Sequence, residues 1–173
     1  MKNKVIGILA FAVIAAFIMP SAVNAQAKAN FSGNWVFNAS KSDQPPGGQG
    51  GGQGQRGGFG GGDFVAKQDA NTLTVERTRT TQDGQTVTTT MKYNLDGKES
   101  VNAGMGGRGE SKSVATWSAD GKTLTIVATR TFNDRTMTTK EVWTLTTPTQ
   151  LTITTTTQTP NGEVTMKRVY DKK

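Results

Sequence analysis

Residues 122–146, KTLTIVATRTFNDRTMTTKEVWTLT, decide the fold of this chain. Apolar and polar side chains alternate in both halves of the segment, and Asn133-Asp134 separates the halves as a turn. Alternation with a period of two is typical of a β-strand that buries one of its faces. Threonine suits the wet face of such a strand, because its side chain is polar and β-branched. The segment therefore predicts a β-hairpin.

The same hairpin recurs along the chain. An apolar-Thr-apolar triplet precedes an aromatic residue by 20, 19 and 19 positions, in the pairs Leu73 and Tyr93, Leu124 and Trp143, and Leu151 and Tyr170. A lone hairpin is not stable, so these units must pack side by side. The pattern predicts an all-β fold, an up-and-down antiparallel β-barrel of about 8–10 strands. A two-sheet sandwich fits the same alternation and is the alternative. The strands are expected over residues 31–37, 63–68, 72–80, 85–94, 98–103, 110–117, 122–131, 135–146, 150–158 and 163–171.

The first 25 residues predict a cleaved secretory signal. Lys2 and Lys4 precede an apolar run over residues 5–19, and Val23-Asn24-Ala25 supplies small residues at a cleavage site. The run is too short for a membrane span and is followed by polar residues. We therefore expect a periplasmic or secreted protein whose mature chain, residues 26–173, forms a single barrel domain.

A glycine-rich stretch over residues 45–62 interrupts the strand pattern. It contains 11 glycines and cannot bury much apolar surface, so we expect a flexible surface loop. Its Arg56-Gly57-Gly58-Phe59 segment is similar to RGG-type nucleic-acid segments. A single such unit in an exported chain does not outweigh the loop interpretation, and we expect no nucleic-acid partner.

The composition excludes several kinds of site. The chain has 20 basic and 13 acidic residues, no histidine and no cysteine. Serine–histidine triads, thiol nucleophiles, disulfides and zinc sites of histidine or cysteine are therefore absent from the sequence. Most aspartates fall in predicted turns, and no paired carboxylates occur at a plausible spacing. We expect no enzymatic activity, no metal and no cofactor.

Alternation also predicts which side chains point inward. Strands that run in one direction begin at the end where the others finish, so large apolar side chains should meet at one end as a packed floor. The opposite end should be a polar mouth, and its predicted ligand-binding residues are Arg77, Arg79, Arg130, Arg135 and Glu141. The residues that point inward include four arginines and one acid, and unpaired buried charge is costly. They are Arg77, Arg79, Arg130, Arg168 and Glu141. The mouth is therefore expected to hold water or an anion. The residues predicted to build the floor are Gly33, Trp35, Tyr93, Trp143, Arg168 and Tyr170.

Two short motifs carry a resemblance to known families. Phe31-Ser32-Gly33-Asn34-Trp35 resembles the opening of secreted bacterial lipocalin-like proteins of unassigned function, and Gly33-x-Trp35 resembles the G-x-W signature of the calycin group. That resemblance implies that Arg168 packs across Trp35 at the closed end. Arg168-Val169-Tyr170 is also similar to the R-x-Y ending of intracellular fatty-acid-binding proteins, which implies a role in holding a ligand carboxylate. The floor geometry favours the structural role for Arg168.

These observations favour an exported, lipocalin-like barrel that binds a small hydrophobic or anionic amphiphilic molecule. We expect a monomer, and not a membrane-spanning barrel, because the outward positions are mostly Thr, Lys and Glu. The alternative is a non-enzymatic envelope interaction or structural module whose lumen is filled by side chains. A lipocalin-like enzyme is a third possibility, and it requires a carboxylate or tyrosine poised near Glu141.

Overall fold

A computed structural model describes residues 27–44, 61–81, 83–104, 109–132, 135–159 and 162–173. These residues form ten strands and one 3₁₀ turn, Ala39–Lys41. The predicted signal segment and most of the predicted glycine-rich loop lie outside the described residues. No helix within the described ranges has the length and apolar character needed to cross a membrane. The strands are β1 (Gly33–Asn38), β2 (Phe64–Gln68), β3 (Thr72–Thr80), β4 (Thr86–Asn94), β5 (Glu99–Ala103), β6 (Glu110–Trp117), β7 (Thr123–Phe132), β8 (Arg135–Thr147), β9 (Gln150–Thr159) and β10 (Gly162–Lys172).

All ten strands belong to one antiparallel sheet, in the order β4-β3-β2-β1-β10-β9-β8-β7-β6-β5. Neighbours in the sheet are neighbours in sequence except where β1 pairs with β10. The fold is therefore an up-and-down barrel rather than a two-sheet sandwich, as the alternation predicted. It is nearly closed, because β4 and β5 lie side by side without a backbone ladder between them.

Side chains bridge this interruption, which we call the seam between β4 and β5. Asn102 Oδ1 accepts a hydrogen bond from the Lys92 amide at 2.7 Å, and Asn102 Nδ2 donates to the Lys92 carbonyl at 2.9 Å. One asparagine thereby reproduces the donor and acceptor of a missing peptide group. Ser100 Oγ accepts from the Asn94 amide at 2.7 Å in the same way.

The repeated apolar and aromatic residues prove to be direct cross-strand partners. Leu73 pairs with Tyr93, Leu124 with Trp143, and Leu151 with Tyr170. Such pairs hold two strands in register, because a shift of one residue would turn every side chain to the opposite face. Leu124 is fully buried, and Arg130 pairs with Met137 at the far end of the same hairpin from Trp143. The register therefore keeps Leu124 and Trp143 on one face, at the opposite end of the hairpin from Arg130.

The floor is a packed cluster of aromatic and aliphatic side chains. The Phe64 ring lies edge-on to Trp143 and to Tyr170, with centroids 5.6 and 4.9 Å apart. Phe31, just before β1, stacks on Trp117 and meets Trp143 edge-on. Edge-to-face contacts of this kind add to the burial of apolar area. The fully buried members are Phe31, Trp35, Leu73, Leu124, Trp143, Leu151 and Tyr170.

The Gly33-x-Trp35 motif has a local physical reason. Trp35 pairs with Lys172 on β10, and the Lys172 ammonium lies 5.5 Å from the centre of the Trp35 ring. A Cβ at Gly33 would lie 2.5 Å from Lys172 Cε, and Gly33 has a φ of +155°. Glycine therefore leaves the Lys172 side chain room to cross the backbone and cover the tryptophan.

Candidate functional site

The candidate site is a group of polar side chains on the inward face above the floor. We call it the chamber and define it by Arg77 on β3, Tyr93 on β4, Arg130 on β7 and Glu141 on β8. Arg77, Arg130 and Glu141 are half-buried, whereas the strand positions that alternate with them carry outward side chains. Half-buried apolar side chains lie on the inward faces of the same part of the barrel: Val87, Met91, Ala128 and Val164.

Each chamber arginine contacts neighbouring groups through only part of its guanidinium. The guanidinium carbon of Arg77 lies 4.5 Å from the centre of the Phe64 ring, and its Nη1 donates to the Gly62 carbonyl at 3.4 Å. Arg130 Nε donates to the Ser111 hydroxyl at 3.2 Å, and Ser111 is fully buried. A guanidinium carries five N–H donors, so both side chains retain donors that can serve a ligand.

Glu141 is held in place by the floor. Its Oε2 accepts a hydrogen bond from Nε1 of Trp143 at 2.9 Å. Its neighbours across the ladder, Ile126 on β7 and Thr155 on β9, are both buried. Glu141 is therefore in the middle of the barrel, deeper than the mouth position predicted from the sequence.

Tyr93 connects the charged groups. Burial raises the pKa of the Tyr93 hydroxyl well above its usual value, the Glu141 carboxylate raises it further, and Arg77 and Arg130 lower it. The hydroxyl therefore stays neutral and able to donate at physiological pH. Among the described residues, no side chain or backbone group is hydrogen-bonded to this hydroxyl. Tyr93 was predicted as a floor residue, and its ring does extend the floor, but its polar end belongs to the chamber.

The chamber carries an uncompensated positive charge. Arg77, Arg130 and the buried Arg168, which donates to the Glu141 neighbour Thr155, leave a formal charge of two against Glu141, and neither Arg77 nor Arg130 forms an ion pair with Glu141. The ion pairs that the described residues do form lie at exposed positions, such as Lys98 with Asp96 at 2.8 Å. Half-buried charges without partners are costly, so the chamber favours the entry of water or an anion.

The other predicted site residues lie elsewhere. Arg79 is exposed at the end of β3 beyond Arg77, outside the chamber. Arg135 begins β8 at the same end of the barrel, and its side chain is outside the described part of the structure. Trp35, Trp143 and Tyr170 are buried in the floor, and Gly33 is half-buried two residues before Trp35.

Arg168 does not take the place over Trp35 that the calycin resemblance implied. The ladder pairs Trp35 with Lys172, and Arg168 lies four residues earlier on β10, about 13 Å along the strand. Arg168 is buried, pairs with Ile153 and donates from Nη1 to Thr155 Oγ1 at 3.3 Å. The cation on the tryptophan is thus a lysine that the sequence interpretation did not single out.

Two further features were missed from the sequence. In the sequence, Asn102 and Ser100 look like ordinary polar residues of a strand. Their role in bridging the seam becomes evident only because β4 and β5 share no backbone ladder. The Nε1 group of Trp117 is buried without a hydrogen-bond partner in the described structure.

No cluster of potential metal-binding side chains occurs within the described ranges. A groove of about 260 Å³ on the outer surface of β6 and β7 is lined by Glu110, Lys112, Thr129 and Thr131 and lies apart from the chamber.

Comparison with known proteins adds little to this description. No family model matches the sequence, and no curated protein matches it. Among solved structures, the chain is similar to zebrafish ileal bile-acid-binding protein in complex with cholic acid, with 18% identity and a TM-score of 0.43. The match covers 64% of this chain and 72% of that chain. At this TM-score the likeness carries no argument about the ligand, and the fold class rests on the strand pairing of this chain itself: an all-β, ten-stranded, nearly closed up-and-down barrel.

Proposed function

We propose that this protein is an exported, non-enzymatic barrel that binds a small amphiphilic molecule with an anionic head in the chamber. The observation that carries the proposal is that Arg77, Arg130 and Glu141 are half-buried on the inward faces of their strands, and none of them takes part in an ion pair among the described residues. A carboxylate or sulfate would neutralise the excess charge and accept hydrogen bonds from the guanidiniums and the tyrosine.

The barrel offers the rest of the ligand two kinds of surface. The floor is filled by its own side chains, so it closes the barrel and leaves no room for a ligand tail. The half-buried Val87, Met91 and Val164 lie on inward faces and supply apolar contact. A polar head at depth and an apolar tail directed to the open end is the orientation that this arrangement favours. Sites with apolar walls and a few convergent polar groups are typical of small-molecule binding.

The test compares dodecanoate with dodecanol in titration calorimetry on the purified protein. We expect dodecanoate to bind more tightly, because the alcohol cannot neutralise the guanidiniums. Replacing both arginines, Arg77→Ala with Arg130→Ala, should lower dodecanoate affinity about tenfold or more, since each lost charge-assisted hydrogen bond costs on the order of 1.5 kcal/mol. The matched control is Lys112→Ala with Lys140→Ala, which removes two exposed, outward positive charges. Equal affinity for acid and alcohol, or equal losses in the two double variants, would refute the chamber as the binding site.

Export rests on the sequence signal alone and has its own test. Intact-mass spectrometry of protein recovered from the cell envelope or medium should give a chain that begins at Gln26. Recovery of uncleaved chain from the cytosol alone would contradict this part of the proposal.

One observation favours the second candidate, an envelope interaction module with a filled lumen. The inward side chains Ser111, Ser113 and Thr157 are almost completely buried, so this part of the wall is already packed. On the outward face of β5, β6 and β7, Val114 pairs with Val127, and Val101 lies diagonally beside Val114, all three exposed. Native mass spectrometry separates the two candidates, because only the binding barrel should co-purify with a small molecule.

A further inference from the structure

The Glu141 carboxylate is the part of the chamber that binding of a simple anion does not explain. It is the one carboxylate on the inward face of the described strands, and it would repel the anionic head that the arginines attract. Its side chain is fixed, because Oε2 accepts from Trp143 Nε1 at 2.9 Å and the neighbouring Ile126 and Thr155 are buried. A fixed acidic group in an anion site needs a partner of its own.

That partner is missing from the described protein. Trp143 Nε1 is the one hydrogen-bond donor to Glu141 among the described groups, and no lysine or arginine of those ranges pairs with it. The outward carboxylate of Glu76, by contrast, forms an ion pair with Lys67 at 3.2 Å. A half-buried carboxylate that keeps an unused oxygen loses hydration without compensation unless a donor arrives with the ligand.

The surrounding charges restrict what this donor can be. An ammonium group would be repelled by the arginines of the inward face, Arg77, Arg130 and Arg168, and Arg168 donates to Thr155, the ladder neighbour of Glu141. A second anionic group would be repelled by Glu141 itself. A neutral hydroxyl can donate to the carboxylate without either penalty. A single anionic group beside it offsets part of the positive charge that the inward arginines leave.

We propose that the chamber selects monoanionic amphiphiles that carry a hydroxyl group close to the anionic head, and that Glu141 accepts the hydrogen bond of this hydroxyl. This inference rests on the proposed function and names the ligand class of the same site. Arg77, Arg130 and Tyr93 bind the anionic group. The Glu141 carboxylate, which Trp143 holds in place, accepts the hydrogen bond of the hydroxyl. Glu141 thereby acts as a specificity residue: it weakens the binding of plain fatty acids and strengthens the binding of hydroxy acids.

The experiment measures two probes, dodecanoate and 3-hydroxydodecanoate, on the wild-type protein and on Glu141→Gln. The amide keeps an acceptor for Trp143 and removes the charge. We expect the wild type to prefer the hydroxy acid about tenfold, the value of one hydrogen bond to a charged group. In Glu141→Gln the two affinities should move in opposite directions, with dodecanoate tighter and 3-hydroxydodecanoate weaker. The control is Glu76→Gln, the same change on the outward face of β3, which should leave the preference intact.

The outcomes separate the two proposals. A wild type that binds both probes equally, or a substitution that shifts both affinities in the same direction, overturns the hydroxyl-reading role. Binding of dodecanoate that depends on Arg77 and Arg130 would in that case still support the anion site. Binding of neither probe to the wild type overturns both proposals. Thermal unfolding of Glu141→Gln without ligand shows whether this variant is folded. A second variant, Glu141→Asp, retains the charge and should retain part of the preference for the hydroxy acid, and circular dichroism checks that it is folded.

Discussion

The floor and the seam close the same barrel by different means. At the floor, aromatic and aliphatic side chains from most strands bury nearly all of their surface against one another. At the seam, β4 and β5 have no ladder, and the side chains of Asn102 and Ser100 supply hydrogen bonds to the backbone of Lys92 and Asn94. The first closure depends on apolar area and the second on a few directional contacts.

The difference predicts unequal local stability within one sheet. Burial at the floor is shared among many side chains, so its loss requires the whole barrel to open. The seam can open by breaking a small number of hydrogen bonds at a partly exposed edge, and such places open more readily than the core. We therefore expect the closed end to be rigid, and we expect the wall at the seam between β4 and β5, beside the chamber, to open more readily.

The largest effect is expected from Trp143→Ala, which attacks the floor. Removing a fully buried tryptophan leaves a cavity and deprives Glu141 of its donor, so the free energy of unfolding should fall by about 3–5 kcal/mol. Denaturant unfolding measures this change. Met137→Ala, on the same strand but 51% exposed, should change the stability by less than about 0.5 kcal/mol. Similar losses in the two variants would mean that the floor is not the main source of stability.

A smaller effect is expected from Asn102→Ala at the seam. The substitution removes both hydrogen bonds to Lys92, so the backbone amide and carbonyl of Lys92 lose their partners. We expect the free energy of unfolding to fall by about 1–3 kcal/mol. Amide hydrogen exchange should accelerate at Lys92 and leave Leu124 unchanged. Asn34→Ala replaces an exposed strand asparagine and is the control. Faster exchange at both Lys92 and Leu124 would show that the seam and the floor open together.

The smallest effect concerns pH at the turn that joins β4 and β5. Hydrogen bonds from the side chain and the backbone amide of Lys98 lower the pKa of Asp96. The contacts that lower this pKa stabilise the folded turn at pH values above about 4, the ordinary pKa of aspartate. This stabilisation is lost as the pH falls through the pKa that Asp96 has in the folded state. Below about pH 4, exchange at the Asn94 and Leu95 amides should therefore quicken beyond its intrinsic pH dependence. The variant Asp96→Asn should lack this acid-dependent change, and its persistence there would assign the effect to another group.

Much of the barrel could be predicted because pairing and alternation are local. A hairpin whose Leu124 and Trp143 both face inward has one register that buries them together, so strand bounds and inward faces follow from the sequence. The same reasoning placed Arg77 and Arg130 at the end opposite the floor. These inferences need only the direction of a side chain from its backbone, which the period of two determines.

The remaining features depend on side-chain length and on distant pairing. Asp96-Gly97 forms a turn with Gly97 at a φ of +83°, but a turn does not reveal whether the strands on either side of it share hydrogen bonds. The flexible Lys172 reaches Trp35 only because β10 pairs with β1, a contact between residues far apart in sequence. The Tyr93 ring begins in the floor and carries its hydroxyl into the chamber, which alternation alone could not specify.

The position of β10 between β1 and β9 has a consequence for how the barrel is made. Residues 162–172 are the link through which the β1–β4 half and the β5–β9 half of the sheet join, since the seam offers no ladder. Without these residues no backbone ladder joins the two halves of the described sheet. Completion of the barrel must therefore wait until residues 162–172 pair with both β1 and β9.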